Sequence, residues 1–238
     1  MIKIGCCGFP VSKIKYAQTF SVVELQHTFY NPPEPQLARK WRENMPTDFE
    51  FTLKAWQLIT HPPQSPTYKK LKKPIPKSKE NLYGNFRPTA EVFAAWQRIK
   101  EIAELLKAKL IIFQSPASFE PNSENKKNIR NFFNQIERNS FLFGWEARGK
   151  WSLEEIQEIC RELELIDVVD PFIRWPVTQG LKYFRLHGLG GYHYRYQESD
   201  LKKLFDLTIK EKEVYVMFNN VHMFEDALKF KEFFKAKI

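Results

Sequence analysis

Apolar residues along this chain gather into eight short runs, and most of these are continuous rather than alternating with polar positions. They are Ile2–Cys7, Val22–His27, Phe49–Ala55, Leu110–Gln114, Phe141–Glu146, Leu165–Val169, Tyr183–His187 and Val214–Asn219. Continuous runs of this length suit strands buried on both faces of a parallel sheet. Segments of helical period lie between them. Thr89–Lys107 puts Val92, Phe93, Trp96, Ile99, Ile102, Ala103 and Leu106 on one stripe. Ser152–Leu163 opens Ser-Leu-Glu-Glu, a capping box. Pro35–Met45, Asn122–Arg138, Ser199–Lys210 and Phe224–Lys235 complete the expected helices.

Strand–helix alternation repeated over 238 residues predicts one TIM (β/α)8 barrel spanning residues 1–238, a fold that usually takes about 250 residues. An open doubly wound sheet is the alternative, because periodicity does not reveal closure. Two connections look degenerate: Val11–Phe20, and Asp170–Gly180 with its Pro171 and Pro176. A third is long. Residues 61–88, after the third strand, hold Pro62, Pro63, Pro66, Pro74 and Pro76 among Lys69, Lys70, Lys72, Lys73, Lys77 and Lys79. Loops of this length are functional lids or disordered segments. A basic anion-attracting lid on the catalytic rim and a solvated, mobile insertion are both consistent with it.

The C-terminal ends of barrel strands converge on one pocket. The run Phe141-Leu-Phe-Gly-Trp ends in Glu146-Ala-Arg148, and the period-two alternation of a strand puts this acid and this cation on one side. As a site, Glu146 would transfer protons and Arg148 would clamp a carboxylate or phosphate; as structure, they would be an ion pair of the rim. The other strand ends supply Cys7, Gln26, His27, Lys54, Trp56, Gln114, Asp167, Asp170, His187, Asn219 and Asn220, with His61 nearby. His187 precedes Gly188, Gly190 and Gly191, where barrel loops often bind phosphate. Lys54 would be a phosphate ligand, or a Schiff-base lysine if buried with a depressed pKa. Asn219 and Asn220 would bind a ligand or cap a helix. Tyr194, among Tyr192, Arg195 and Tyr196, would offer a stacking face.

Charge points the same way. Lysine and arginine number 37 against 28 acids, a net +9, which favours phosphates, nucleic acid or an acidic surface. A solvated lysine-rich surface explains the excess equally well. No GxSxG, GxGxxG, P-loop, HExxH or paired-cysteine motif is present, which argues against a serine-nucleophile elbow and nucleotide-fold sites. No metal site is assigned. A divalent metal would need His27, His187, Glu146 and Asp167 to meet in space. Three cysteines without CxxC spacing, no signal peptide and no membrane-length apolar run fit a cytoplasmic protein.

Several segments together resemble the domain-of-unknown-function 72 family, the YecE-like proteins. They are Val23-Glu24-Leu-Gln-His-Thr-Phe29-Tyr30, Phe51-Thr-Leu-Lys54-Ala-Trp56 with Ile59-Thr-His61, and Gln114-Ser-Pro116 with Phe119. Glu146-Ala-Arg148 with Trp151, Arg185-Leu-His187-Gly188, Tyr194-x-Tyr196 and Tyr215-Val-Met-Phe218-Asn219-Asn220 complete the pattern. Gln26 and His27 stand where that family usually carries Asn and Ser, and the opening Gly5-Cys-Cys-Gly8-Phe9 replaces Gly-x-x-Gly-Trp. The resemblance implies a TIM barrel in the cytoplasm and, by analogy of fold with endonuclease IV-like barrels, nucleic-acid or nucleotide ligands. It implies no established reaction.

The expectation is a hydrolase acting on a phosphate-containing substrate, nucleotide or nucleic acid included, at the C-terminal face. Glu146 and His187 would be catalytic; Lys54, Trp56, Gln114, Arg148, Tyr194, Asn219 and Asn220 would bind substrate. A non-catalytic barrel that binds nucleic acid or another anion is the alternative from a different class.

Overall fold

The eight runs become eight parallel strands that close on one another. In the computed structural model, which describes residues 1–237, the strands are β1 (Ile2–Cys6), β2 (Val22–Leu25), β3 (Glu50–Lys54), β4 (Leu110–Gln114), β5 (Leu142–Glu146), β6 (Ile166–Val169), β7 (Lys182–Leu186) and β8 (Val214–Phe218). They pair in chain order, and β8 pairs back onto β1 with Cys6 opposite Phe218. Closure makes this a TIM-type (β/α)8 barrel in one domain and removes the open-sheet alternative. The helices are α1 (Lys13–Thr19), α2 (His27–Tyr30), α3 (Pro35–Glu43), α4 (Gln57–Thr60), α5 (Ala90–Leu106), α6 (Ser123–Gln135), α7 (Leu153–Glu162), α8 (Glu198–Thr208) and α9 (Met223–Lys235).

Local chemistry starts the helices where expected. Ser152 Oγ accepts from the Glu155 N–H while the Glu155 carboxylate accepts from the Ser152 N–H at 2.9 Å, a reciprocal cap for α7. Thr89 and Asn122 cap α5 and α6 from one side. The phenylalanine richness goes into the layer between sheet and helices. The Phe113 ring lies 4.9 Å from Phe133 and 5.4 Å from Phe143, and Trp96 stands edge-on to Phe143 at 5.4 Å. Val22, Leu110, Ile112, Val168 and Met217 fill the lower barrel interior instead. Both faces of the sheet are therefore buried, which is why the runs are continuous.

The chain departs from the sequence expectation at the end of β2 and in residues 61–88, whereas the Asp170–Gly180 connection is degenerate as expected. Strand β2 ends at Leu25, so Gln26 and His27 lie beyond it and His27 opens α2. No helix forms between β6 and β7 among the described residues; the Asp170 carboxylate accepts from the Phe172 N–H at 3.1 Å and turns the chain there. Residues 61–88 form neither a free insertion nor a helix. They carry two 3-10 turns, Pro66–Lys70 and Lys77–Leu82, and return to pack on the barrel. Gly84 and Phe86 donate to Leu58 and Ile59 carbonyls, each at 2.8 Å. Gly84 has φ +74°, and a Cβ there would lie 2.1 Å from the His61 carbonyl oxygen, so only glycine fits the return. Asn31 latches the lysine stretch: Nδ2 donates to the Lys70 carbonyl and Oδ1 accepts from the Lys72 N–H, both at 2.8 Å. No helix among the described residues is long and apolar enough to cross a membrane.

Candidate functional site

Alternation along each strand sends every second side chain toward the barrel axis. Below the rim these inward positions are apolar or aromatic, as with Val22, Ile112 and Tyr183. One step further toward the strand ends they become Glu24, Lys54, Gln114, Glu146 and Arg185, all buried or nearly so. The parallel register sets Gln114 beside Glu146 on adjacent strands. A polar layer thus caps the apolar interior at the C-terminal mouth.

Arg185 stands at the centre of this layer with a side-chain exposure of 1%. Its Nη1 donates to Glu146 Oε2. Its Nη2 lies 3.0 Å from Glu24 Oε1, and its Nε donates to Glu24 Oε2 at 3.1 Å. Tyr183 completes the shell around Glu24 with a hydroxyl bond of 2.9 Å and also contacts the Thr52 hydroxyl at 2.7 Å. Gln26 donates to the other Glu24 oxygen. Both carboxylates therefore have their charge met from below and behind.

A second chain of contacts runs across the mouth. Lys54 Nζ donates to Gln114 Oε1 at 2.8 Å, and Gln114 Nε2 donates to Glu146 Oε2 at 3.0 Å. Arg148 Nε donates to Glu146 Oε1 at 2.8 Å, and its Nη2 lies 2.6 Å from His187 Nε2. A guanidinium has donors only, so Nε2 accepts and the ring proton sits on Nδ1. That nitrogen faces Asp170 Oδ2 at 3.8 Å, and the same carboxylate oxygen accepts from the His187 N–H at 3.0 Å.

The neighbours decide the ionisation of these groups. Burial alone would raise the Glu146 carboxyl, but Arg185 first, then Arg148, His187 and Lys54, outweigh it and hold the group well below the usual carboxylate range. These neighbours favour the carboxylate form of Glu146 over the acid. Burial, reinforced by Arg185, lowers the Lys54 ammonium from 10.5 to about 7 against the pull of Glu146 and Glu24. Burial, with Lys54 and Arg148 adding to it, lowers His61 to about 3. Burial and then Glu24 push the Cys7 thiol up, which keeps it protonated and inert.

Above this layer lies a cavity of about 550 Å³. Lys54, Lys70, Gln114, Arg148, His187 and Asn219 line it, with Cys7, Gln26, Tyr30 and Tyr192. A second hollow of about 490 Å³ lies beside it over Val168 and Ile173, with Arg148 and His187 in the shared wall. The structure thus brings together six of the residues expected at the site: Lys54, Gln114, Glu146, Arg148, His187 and Asn219.

The other candidates lie elsewhere. Trp56 Nε1 donates to the Tyr30 carbonyl at 3.1 Å, and the ring lines a separate groove with His27. The Tyr194 hydroxyl donates to Asp200 at 2.7 Å, and its ring packs edge-on against Tyr196. Asn220 is fully buried and binds Asp226 at 2.7 Å and the Tyr194 carbonyl at 2.8 Å, which pins two loops together. Asp167 takes the opposite strand parity and is held by Arg174 from two sides at 2.6 and 2.7 Å. With His27 and Asp167 turned away, the four suggested metal ligands do not meet, and no group of three His, Cys, Asp or Glu side chains among the described residues is set to hold a metal ion. Glu24 and Arg185 were missed as site residues. Their signal was present: Glu24–Gln26 and Arg185–His187 repeat the two-residue spacing of Glu146–Arg148.

A closed parallel barrel is an architecture shared with known proteins. The chain belongs to the DUF72 family, described as a protein of unknown function, whose model matches residues 14–237. It is 24% identical to the UPF0759 protein YunF of Bacillus subtilis (strain 168) over 239 residues, 86% of this chain and 79% of that one. A DUF72 family protein of Enterococcus faecalis V583 superposes with a TM-score of 0.75 at 17% identity, covering 99% of this chain and 96% of the other. Endonuclease IV from Thermus thermophilus superposes with a TM-score of 0.55 at 12% identity, covering 98% of each chain.

Proposed function

We propose that the cavity at the barrel mouth binds a phosphate group, and that the protein is a hydrolase of phosphate-containing substrates, nucleotides or nucleic acid among them. One observation carries the reading: Lys54, Lys70 and Arg148 line one cavity, while the carboxylates beneath them already have Arg185 as their counter-charge. An entering anion meets donors, not acids. Arg148 supplies the planar fork that suits a phosphoryl group, and Asn219 and Gln114 orient the remainder of the substrate. The fold likeness to an endonuclease supports phosphodiesters as substrates by analogy.

In this reading the phosphate takes the Arg148 guanidinium away from His187. Nε2 is then free to accept a proton from an attacking water, with Asp170 behind the Nδ1 proton. Glu146 takes no proton; it aims Arg148. The alternative, a nucleic-acid-binding barrel without catalysis, draws on the position of Lys70 at both the lysine-rich loop and the cavity.

Calorimetry with inorganic phosphate, paired with hydrolysis of bis(p-nitrophenyl) phosphate, tests the proposal. Binding is expected in the wild type and to fall about tenfold or more in Arg148→Ala, the loss of a charge-assisted hydrogen bond. His187→Ala is expected to abolish turnover while retaining phosphate binding. Absence of phosphate binding would overturn the reading. Binding of single-stranded DNA that weakens steeply with salt, without hydrolysis, would favour the alternative, because phosphate-backbone binding releases counterions.

A further inference from the structure

Lys54 differs from Arg185, the other buried cation at the barrel mouth, and from half-buried Arg174. Arg185 is met by Glu24 and Glu146, and Arg174 by Asp167. No carboxylate among the described residues lies within 4.0 Å of Lys54 Nζ. Among the described residues its only side-chain hydrogen bond is to the neutral amide oxygen of Gln114 at 2.8 Å, and the Phe29 ring centroid lies 3.7 Å away. The residue is only 6% exposed, yet it lines the cavity. Burying an ammonium without a counter-ion is costly; Lys182, also buried and without a carboxylate partner among the described residues, donates to the Thr178 carbonyl and does not line this cavity. Gln114 is itself held, since its amide nitrogen donates to Glu146; its oxygen is therefore kept facing Nζ. One N–H is satisfied there.

We propose that Lys54 is a carbonyl-capturing amine, forming an imine with an aldehyde or ketone whose anionic group is held by Arg148 and Lys70. This inference rests on the anion-binding reading above for its choice of substrate class: phosphorylated carbonyl compounds. In the step itself, the lone pair of neutral Nζ attacks the carbonyl carbon, and an N–H proton passes to the oxygen to give a carbinolamine. The second N–H proton and the hydroxyl then leave as one water, and the C=N bond forms. The count closes with amine and carbonyl consumed and imine and water produced. No oxidant or reductant enters. The burial that lowers the ammonium to about 7 supplies the neutral amine near physiological pH. Phe29 closes one wall and limits water there, which favours the imine over its hydrolysis.

The test is reductive trapping on the full-length protein. Glycolaldehyde phosphate and unphosphorylated glycolaldehyde are supplied separately with sodium cyanoborohydride, and the modified sites are mapped by peptide mass spectrometry. The expected result is one dominant adduct, on Lys54, forming about tenfold faster with the phosphorylated aldehyde, as one charge-assisted contact would give. Inorganic phosphate should protect Lys54. Lys54→Arg should lose that adduct, and Arg148→Ala should lose the preference for the phosphorylated probe. Labelling of the wild type spread over surface lysines without enrichment at Lys54 would overturn the proposal, whether or not either variant folds. Calorimetry with phosphate separates the two readings. Phosphate binding without Lys54 trapping removes only the amine chemistry, whereas trapping by both aldehydes alike without phosphate binding retains the amine and removes the anion site.

Discussion

Arg185 on β7 and Glu24 on β2 form a fully buried ion pair, Nη2 to Oε1 at 3.0 Å, through the middle of the barrel mouth. The two strands are not neighbours in the sheet. The same guanidinium also donates to Glu146 on β5, so one cation ties three strands together and neutralises the floor of the cavity.

Replacing Arg185 by Met leaves Glu24 buried without a counter-charge and Glu146 with Arg148 alone. The expected loss is about 3–5 kcal/mol, the cost of breaking a buried pair from one side. Urea unfolding followed by far-UV circular dichroism checks it. An Arg185→Met protein as stable as the wild type would mean that the layer relaxes or takes up protons at little cost.

Glu146 shapes the acid limb of stability. Its folded carboxyl lies below the ordinary value of 4.5, so the unfolded chain takes up the proton first as pH falls. The stabilisation is therefore complete above about pH 4.5 and drains away below it. Arg185, Arg148, His187 and Lys54 all face the group. Glu146→Gln should show a shallower decline in unfolding free energy between about pH 5 and pH 3 than the wild type, measured by denaturant titration.

Lys54 gives a rise of the same sign at the alkaline end. Its folded value of about 7 lies below the ordinary 10.5, so the unfolded chain holds an extra proton between those values and stability rises with pH across that window. The groups that set it are Arg185, Glu146, Glu24 and Arg148. Lys54→Met should flatten that rise and should raise the melting temperature at about pH 6, where the wild type carries a buried charge. A variant that melts lower than wild type at that pH would show that Lys54 is stabilised as an ammonium.

Asn31 controls the lysine-rich loop. Asn31→Ala removes both side-chain bonds to the backbone at Lys70 and Lys72, worth about 1 kcal/mol each. Trypsin cleavage between Lys69 and Lys73 should become markedly faster while the melting temperature changes little. If cleavage is unchanged, the loop is held by its return segment and by the Tyr68 hydroxyl, which donates to the His61 carbonyl at 2.8 Å.

Local order in the chain was enough to reveal the repeat of strand and helix and, through strand alternation, the inward side of each strand end. Continuous apolar runs, capping residues and a proline-punctuated loop are local signals, each legible within about ten residues. Strand alternation also set Glu146, Lys54 and Gln114 on the working face, because parity is a property of the strand alone. Past the last strand residue that rule lapses. Trp56, Tyr194 and Asn220 lie in turns, where backbone direction and packing against distant segments aim the side chain, and all three turn to structural partners. The partners of Arg185 could not be read from sequence, because Glu24 lies 161 positions away and meets it only once the barrel closes. Ionisation belongs wholly to the tertiary structure. The same closure holds Glu146 as an anion between two guanidiniums and leaves Lys54 buried without a carboxylate of its own, because charge in a low-dielectric interior is set by whichever groups the fold brings within a few ångströms.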